Sequence, residues 1–315
     1  MKIIFLGTPQ FSSVCLEKLV VNNYLPTLVI TNPDRPAGRG LKITQSPVSQ
    51  MAKNYNLPVI KPTRIIETQE EIKKIAPDLL IVVAYGQYLP PTILKIPKYG
   101  TINVHPSLLP KYRGPSPIQS AILNGDKKTG VTIILVNEEM DGGDILTQEE
   151  FLINKNYQYQ ELLTQLAKQG SELLIKTIPK WIEGKIKPKK QSNKAIYSPI
   201  LNKCDGKIDW KNPAIRIERQ VRAFNPWPGA YTYFTFPETK KEKILKILEG
   251  GIQEQTKNGP FGLPGKTYVG TNGTIAIQTG RDFFLIKKFQ IEGGEPIKTE
   301  EYLKNKIELI GLILK

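Results

Sequence analysis

The chain has 315 residues, of which 40% are hydrophobic and 23% are charged, and its formal net charge is +15. This composition is typical of a folded globular protein and excludes a disordered or fibrous chain, and the length suits two domains of roughly 100–200 residues each. No stretch approaches the roughly 20 apolar residues of a membrane span, so we expect no membrane contacts. Cys15 and Cys204 lie far apart and lack metal-ligand spacing, which predicts reduced thiols in a cytoplasmic protein.

The positive charge is concentrated in the second half of the chain. Residues 1–150 carry 16 basic and 13 acidic side chains (net +3), whereas residues 151–315 carry 28 basic and 16 acidic side chains (net +12). Such an imbalance favours a polyanionic partner, with nucleic acid as the leading candidate. The alternative is ordinary solubilising charge in a lysine-rich protein.

The first half of the chain alternates short apolar runs with helical patterns. The run KIIFLG precedes a helical pattern that begins after Pro9, and further runs of strand length follow in TLVITN, DLLIVVAYG, GTINVHPS and GVTIILVN. Strands separated by helices predict a Rossmann-like α/β domain, with a parallel sheet covered on both faces. The first turn, Gly7-Thr8-Pro9, lacks the GxGxxG fingerprint, which argues against a dinucleotide-binding oxidoreductase.

The second half has a different pattern. Residues 155–190 predict a helix, and its basic, proline-containing end indicates a linker over about 184–204. From about residue 197 onward, period-two runs broken by Asn-Gly and Gly-Arg turns predict a small antiparallel sheet or barrel. We therefore expect one domain over residues 1–188 and a smaller β-rich domain over 205–315.

The only histidine, His105, lies at the end of a predicted strand. Asn103 projects from the same face of that strand, and Pro106 ends the ladder at the edge where an open α/β sheet binds its ligand. The later segment MDGGDIL supplies Asp141 and Asp144, and either carboxylate reaches the histidine if the preceding strand adjoins that of Asn103. An amide, an imidazole and a carboxylate together suit acyl transfer to an amine, because they can stabilise an oxyanion and move a proton.

Other interpretations of the same residues stay open at this point. The histidine can be a packing or surface residue, and Asp-Gly-Gly-Asp can be a tight turn. Ser107 or Ser116 can act as the nucleophile of a serine–histidine hydrolase, although no GxSxG elbow is present. A metal site is disfavoured, since one histidine and no clustered cysteines leave only carboxylates as ligands, and we predict no metal.

The segment INVHPSLLPKYRGPSPIQSAILNGDKKTGVTI, together with the later MDGGDIL, resembles the folate-dependent formyltransferase family. The resemblance implies an α/β catalytic domain that moves a formyl group from 10-formyltetrahydrofolate to an amine. It assigns the catalytic trio of the family to Asn103, His105 and Asp141. It places the folate contacts on the SLLP segment and on VVAYGQYLP, at Ser107, Leu108, Leu109, Pro110, Tyr85, Gly86 and Leu89.

The loop TNPDRPAGRGLKITQSPV, residues 31–48, resembles the basic insertion of those family members that act on charged initiator tRNA. This implies that the acceptor is the amino group of methionyl-initiator tRNA, whose formylation serves translation initiation, with Arg35, Arg39 and Lys42 at the acceptor stem. The alternative is a surface loop rich in proline and glycine. The segment KIDWKNPAIRIERQVRAFNPWPGAY resembles the start of the family's C-terminal domain, an OB-like barrel that binds tRNA, so the resemblance covers nearly the whole chain. It is weakest over residues 234–258.

Further cations complete the predicted tRNA surface, since they lie in the basic half of the chain. They are Lys187, Lys189, Lys190, Arg216, Arg219 and Arg222. The three arginines are equally compatible with a solvated helix face. Two other activities compete with tRNA formylation: a formyltransferase relative acting on an amino sugar or on water, which should lack the DRPAGRG loop, and an RNA-binding protein with an inactive catalytic fold. Nothing in the sequence demands more than a monomer.

Overall fold

The computed structural model describes residues 1–37, 40, 42–236, 240–254 and 262–315. The chain divides into two compact units. Unit 1 comprises Met1–Pro117, Lys127–Asn154 and Glu161–Pro199. Unit 2 comprises Ile118–Asp126, Lys155–Gln160 and Ile200–Lys315. Among the helices of these ranges, none is long and apolar enough to cross a membrane.

The first 199 residues form alternating strands and helices. In chain order these elements are β1 (Ile3–Gly7), α1 (Gln10–Val21), β2 (Pro26–Ile30), β3 (Arg35–Ala37), β4 (Lys42–Thr44), α2 (Pro47–Asn54), β5 (Val59–Ile60), α3 (Gln69–Ile75), β6 (Leu79–Val83), α4 (Pro91–Leu94), β7 (Thr101–His105), β8 (Lys111–Arg113), α5 (Pro117–Asn124), β9 (Lys128–Leu135), β10 (Ile145–Leu152), α6 (Tyr159–Ile182) and β11 (Ile196–Tyr197).

The main sheet of unit 1 has the strand order β10-β9-β7-β6-β1-β2-β5. Strands β5, β2, β1, β6 and β7 are parallel to their neighbours, which confirms the Rossmann-like α/β class. Strand β9, however, runs antiparallel to both β7 and β10, so the prediction of a wholly parallel sheet was wrong for this strand. Its apolar run GVTIILV indicates burial on both faces, and burial carries no information about strand direction.

The core of unit 1 follows from the apolar runs. Every residue of β1 and of β6 is buried, as expected for strands covered on both faces. Helix α1 buries Phe11, Cys15, Leu16 and Leu19. Residues 84–90 follow the carboxyl end of β6 directly. They therefore lie at the carboxyl edge of the parallel strands, where open α/β sheets bind ligands.

Unit 2 is built around an antiparallel sheet, which agrees with the predicted β-rich second domain. Its elements are α7 (Ala214–Phe224), β12 (Ala230–Thr235), β13 (Glu242–Gln253), β14 (Thr267–Val269), β15 (Ile275–Gln278), β16 (Phe283–Ile291), β17 (Ile297–Lys298) and α8 (Thr299–Asn305). The strand order is β12-β13-β16-β15-β14, with β17 paired to β16. Helix α7 places Ala214, Ile217 and Val221 in the core of this unit, at the spacing of one helix face.

Residues 312–315 connect the two outer strands of that sheet. At one edge, the backbone N–H of Thr267 in β14 donates to Leu312 O at 2.9 Å, and Leu314 N donates to Gly265 O at 2.9 Å. At the other edge, Tyr233 in β12 and Lys315 exchange backbone hydrogen bonds of 3.1 and 2.9 Å. The segment therefore links the two outer strands by backbone hydrogen bonds and covers part of both edges, which would otherwise be open to pairing with other chains.

The structure generates one prediction about the two cysteines. Burial raises the pKa of the Cys15 thiol to about 12, whereas Cys204 is exposed. Alkylation requires the thiolate, so we expect iodoacetamide at pH 8 to modify Cys204 alone in the native protein and both thiols after denaturation. Intact-mass spectrometry gives the number of adducts, with Cys204→Ser as the control that should remain unmodified. A native adduct on Cys15 at a similar rate would contradict the described packing of α1.

Candidate active site

The three predicted catalytic side chains lie together in unit 1. Asn103 Nδ2 donates a hydrogen bond of 3.3 Å to Asp141 Oδ1. His105 Nδ1 lies 3.6 Å from Asp141 Oδ2, and the backbone N–H of Gly114 donates to the same oxygen at 2.7 Å. His105 is buried, whereas Asn103 and Asp141 are partly exposed. Of the two carboxylates that the sequence left open, it is Asp141 that meets Asn103 and His105.

The route by which Asp141 reaches the trio differs from the predicted one. Because β9 is antiparallel to β7, the loop after Leu135 begins beside the start of β7, where Val136 N donates to Thr101 O at 2.8 Å. The loop then folds back to bring the carboxylate to His105. Asp141 adopts a left-handed backbone (φ +49°), and Gly143 lies so near Leu135 that a Cβ there would be 1.5 Å from its carbonyl oxygen. The glycines of MDGGDIL thus permit this return.

Hydrogen bonding fixes one proton of His105. Its Nε2 lies 2.9 Å from the carbonyl oxygen of Tyr112, which can only accept, so Nε2 carries a hydrogen and donates it. Nδ1 is then the ring nitrogen with a free lone pair, and it faces the carboxylate of Asp141. A proton bound there would give an imidazolium next to a carboxylate. The arrangement can therefore accept a proton from a reacting group and hold it.

The amide of Asn103 has one N–H directed at Asp141. Within the described ranges, its second N–H has no protein partner, and the side chain is partly exposed. A fixed amide N–H of this kind can stabilise an oxyanion, because its orientation is already set by the carboxylate.

The SLLP segment is fixed to the sheet by residues that the sequence analysis did not identify. Thr132 Oγ1 donates to Ser107 O at 2.6 Å and accepts from Leu109 N at 3.2 Å. Gln148 Nε2 donates to Leu109 O at 3.0 Å and to Thr132 Oγ1 at 2.8 Å. Ser107 and Leu109 are buried, whereas Leu108 and Pro110 are partly exposed. Of the four SLLP residues, Leu108 and Pro110 are therefore the two that the structure leaves accessible.

The predicted folate residues after β6 also differ in exposure, since Tyr85 and Leu89 are buried and Gly86 is exposed. Tyr85 and Leu89 are buried members of the apolar cluster of unit 1. Gly86 has a left-handed backbone (φ +85°). The carbonyl oxygen of Tyr85 accepts from Asn32 Nδ2 at 2.8 Å and from Thr8 Oγ1 at 3.2 Å. These bonds join the ends of β1, β2 and β6 at the carboxyl edge of the parallel strands. The side chains of Tyr85 and Leu89 lie in the core beneath that edge.

The hydroxyl groups of both candidate serine nucleophiles are bonded to backbone carbonyl groups. Ser107 Oγ donates to Lys111 O at 2.6 Å, and Ser116 Oγ donates to Pro199 O. Neither hydroxyl donates to His105, whose Nε2 contacts Tyr112 O instead. A serine–histidine hydrolase needs the nucleophile within hydrogen-bond reach of its base, so the geometry disfavours this alternative.

The basic loop forms a hairpin on unit 1. Strands β3 and β4 pair Arg35 with Thr44 and Ala37 with Lys42, and the Arg35 and Lys42 side chains are exposed. At its base, Lys61 Nζ lies 2.7 Å from Asp34 Oδ1. The predicted contact residue Arg39 lies outside the described residues. The described cations of the loop are thus presented to solvent on a hairpin whose base is anchored.

The remaining predicted tRNA contacts fall into two groups. Lys187, Lys189, Lys190 and Arg216 are exposed. Arg222, in contrast, is engaged within unit 2: its Nε and Nη2 donate to Glu218 at 2.6 and 3.1 Å, and its Nη1 donates to Tyr157 O at 2.8 Å. Arg219 Nη1 lies 3.5 Å from Asn124 O, also in unit 2. Helix α7 is therefore not a uniform basic face, because two of its arginines contact residues 118–126 and 155–160.

Family models match both parts of the chain. The model described as formyl transferase matches residues 1–178, and the model described as formyl transferase, C-terminal domain, matches residues 200–306. The chain belongs to the formyl transferase family. It is 41% identical over 319 residues to the methionyl-tRNA formyltransferase of Clostridium acetobutylicum and 39% identical over 319 residues to that of Caldanaerobacter subterraneus, with complete coverage of both chains in each case.

Solved structures share the fold at lower sequence identity. An N-formyltransferase from Helicobacter canadensis, in complex with folinic acid and dTDP-3-aminofucose, has a TM-score of 0.64 at 23% identity, with 91% of this chain and 98% of that chain covered. HypX from Aquifex aeolicus, in complex with tetrahydrofolic acid, has a TM-score of 0.64 at 19% identity, with 96% of this chain and 47% of that chain covered. These similarities establish the fold of the chain.

The contacts of α7 predict different consequences for two of its arginines. Replacing Arg222 with methionine leaves the mostly buried Glu218 carboxylate and Tyr157 O without their donors, so we expect the free energy of unfolding to fall by about 1–3 kcal/mol. The control is Arg216→Met, an exposed position on the same helix, which should change stability by less than about 0.5 kcal/mol. Urea denaturation of both variants measures the difference. Equal stability of the two would show that the Glu218 pair is not structural.

Proposed function

We propose that this chain transfers the formyl group of 10-formyltetrahydrofolate to the free amino group of methionyl-initiator tRNA, giving N-formylmethionyl-tRNA for translation initiation. The observation that carries the proposal is the contact of Asp141 with both Asn103 and His105 in a chain of the formyl transferase family. Relatives named methionyl-tRNA formyltransferase are about 40% identical over their full length, which supports tRNA as the acceptor.

The proposed reaction begins when the neutral methionyl amine attacks the formyl carbon of the folate. The carbonyl π bond opens as the new C–N bond forms, and the oxygen gains negative charge. The second N–H of Asn103 donates to this oxygen, because its first N–H is committed to Asp141. Stabilisation arises mainly in the tetrahedral state, so it increases the rate rather than the substrate affinity.

Proton transfer completes the reaction. The attacking amine must lose a proton, and N10 of the folate must gain one as the C–N10 bond breaks. Nδ1 of His105, facing Asp141 Oδ2 at 3.6 Å, provides a position at which that proton can be held between the two events. The carboxylate stabilises the imidazolium during this interval. The overall reaction conserves protons and requires no metal or redox partner.

The basic hairpin and the distribution of charge favour tRNA over an amino sugar as the acceptor. A sugar nucleotide carries few phosphates, whereas the exposed Arg35 and Lys42 and the lysines of residues 187–190 provide separate cations for a long polyanion. We further propose that residues 1–188 carry catalysis, that residues 205–315 bind tRNA, that 10-formyltetrahydrofolate contacts the SLLP segment and the turn after β6, and that the protein works in the cytoplasm as a monomer.

The trio generates a kinetic prediction. Removing the donor in Asn103→Ala should lower kcat by about 10²–10³, and His105→Ala should cause a loss of similar size, with small changes in the KM for either substrate. The assay is steady-state formylation of methionyl-initiator tRNA at varied concentrations of each substrate, followed by identification of N-formylmethionine. Asn193→Ala, an exposed position, serves as the control and should retain the unmodified protein's rate. A folded Asn103→Ala protein with normal kcat would refute the oxyanion role.

The hairpin generates a prediction about the acceptor. The double variant Arg35→Leu/Lys42→Leu should lower kcat/KM for charged initiator tRNA by at least about tenfold, because hydrogen bonds to charged groups contribute roughly 1.5–3 kcal/mol each. The KM for the folate should be unchanged. The matched control is Lys53→Leu/Lys95→Leu, which removes the same net charge from exposed positions on α2 and after α4. If both double variants behave alike across a salt series, the hairpin makes no specific contact and contributes only general attraction.

A further inference from the structure

The segment that follows α6 contributes backbone contacts on both sides of the catalytic loop. Strand β11 pairs in parallel with β8, and Ile196 N donates to Pro110 O at 3.1 Å. Lys189 and Ile145 exchange backbone hydrogen bonds of 2.9 and 2.8 Å. Residues 189–198 are thus held at two points of unit 1, one just before Gly114 and one just after the loop that carries Asp141.

Between these two points, the side chain of Gln191 contacts the catalytic loop. Gln191 Nε2 donates to Asp141 O at 2.7 Å and to Gly143 O at 2.8 Å. One primary amide therefore uses both of its N–H groups on carbonyl oxygens that flank the left-handed turn of the loop. A non-glycine residue such as Asp141 is disfavoured in this conformation by about 1–2 kcal/mol, so the turn needs bonds of this kind to persist.

The orientation of the Gln191 amide is itself fixed. Arg113 Nε donates to Gln191 Oε1 at 3.0 Å, which sets which end of the amide faces the loop. Arg113 is buried and also pairs through Nη1 with Glu139, a residue of the same loop. The next residue, Gly114, donates to the Asp141 carboxylate. Arg113 and Gly114 thus bind side chains of the catalytic loop, whereas Gln191 binds the backbone of that loop.

We propose that Gln191 is a positioning residue for formyl transfer: it holds the backbone of Asp141 so that the carboxylate stays against Asn103 and His105. The inference rests on the proposed function for its kinetic readout. Gln191 does not touch the trio side chains, and it acts through the backbone of Asp141 and of the turn that carries it. Its loss lets the carboxylate move relative to His105, and displacements of about 1 Å in a catalytic group cost roughly 10²-fold in rate.

The test uses a substitution that keeps the size of the side chain and removes its donors. In Gln191→Glu, one carboxylate oxygen still accepts from Arg113, but none donates to Asp141 O and Gly143 O. We expect kcat to fall about 10- to 100-fold while the KM for methionyl-tRNA and for the folate stays unchanged. Gln191→Met, which has similar length and no donor, should behave in the same way and replaces Gln191→Glu if that protein does not fold. The control is Ser192→Ala, the exposed neighbour, with the unmodified protein's kcat.

A double variant separates positioning from a general structural effect. Since Gln191 acts through Asp141, adding Gln191→Glu to Asp141→Asn should lower kcat no further, within about twofold. Additive losses, a rise in KM at constant kcat, or normal kcat in both Gln191 variants would each overturn the proposal.

A second readout does not depend on the activity. Hydrogen exchange of peptides covering residues 138–145 should be faster in Gln191→Glu than in the unmodified chain, with Ser192→Ala unchanged. If the unmodified chain fails to formylate methionyl-tRNA, the proposed function fails by itself, and the exchange experiment still decides whether Gln191 holds the loop. Unchanged exchange in that case would overturn the positioning role as well.

Discussion

The arrangement of unit 1 around the candidate active site depends on the contacts of the Asp141 carboxylate. It accepts from the side chain of Asn103 and the backbone of Gly114 and faces His105, and these contacts join β7, the end of β8 and the loop between β9 and β10. Hydrogen bonds to an ionised acceptor are roughly twice as strong as neutral ones, so a single charge can hold three segments that are separate in sequence. In the proposed reaction the same charge stabilises the imidazolium, so the group that assembles the site would also support its chemistry.

Much of the site could be predicted from local pattern, because alternation along a strand is a rule of geometry. Asn103 and His105 are two residues apart and therefore face one side of the sheet. The direction of β9 could not be predicted in this way, since an apolar run reports burial only. Nor could Gln191, which lies in a basic, proline-containing segment typical of a linker and whose contacts are all distant in sequence. Tyr85 and Leu89 are buried in the core of unit 1, and the sequence pattern alone does not distinguish an apolar residue that lines a ligand pocket from one that only packs.

The charge excess predicts a class of partner and says less about individual residues. Arg222 and Lys189 contribute equally to the net charge, yet Arg222 is paired with Glu218, whereas Lys189 is exposed. The spacing of three between the arginines of α7 cannot show which of them is exposed and which is paired. One acceptor of Arg222, the carbonyl oxygen of Tyr157, is 65 residues away in sequence. Lys189, by contrast, extends from a backbone that is bonded to Ile145, which restricts its position and lowers the entropy that binding an anion would cost.

The discontinuous composition of unit 2 affects the order in which the chain can fold during synthesis. Asn124 and Tyr157 precede their partners on α7 by 95 and 65 residues, and they belong with α7 rather than with the strands that surround them in sequence. At roughly 5–20 residues per second, the ribosome releases Arg219 about 5–20 s after Asn124. Unit 1 can complete its sheet during that interval. Residues 118–126 and 155–160, however, cannot make their contacts with α7 until that helix has been synthesised.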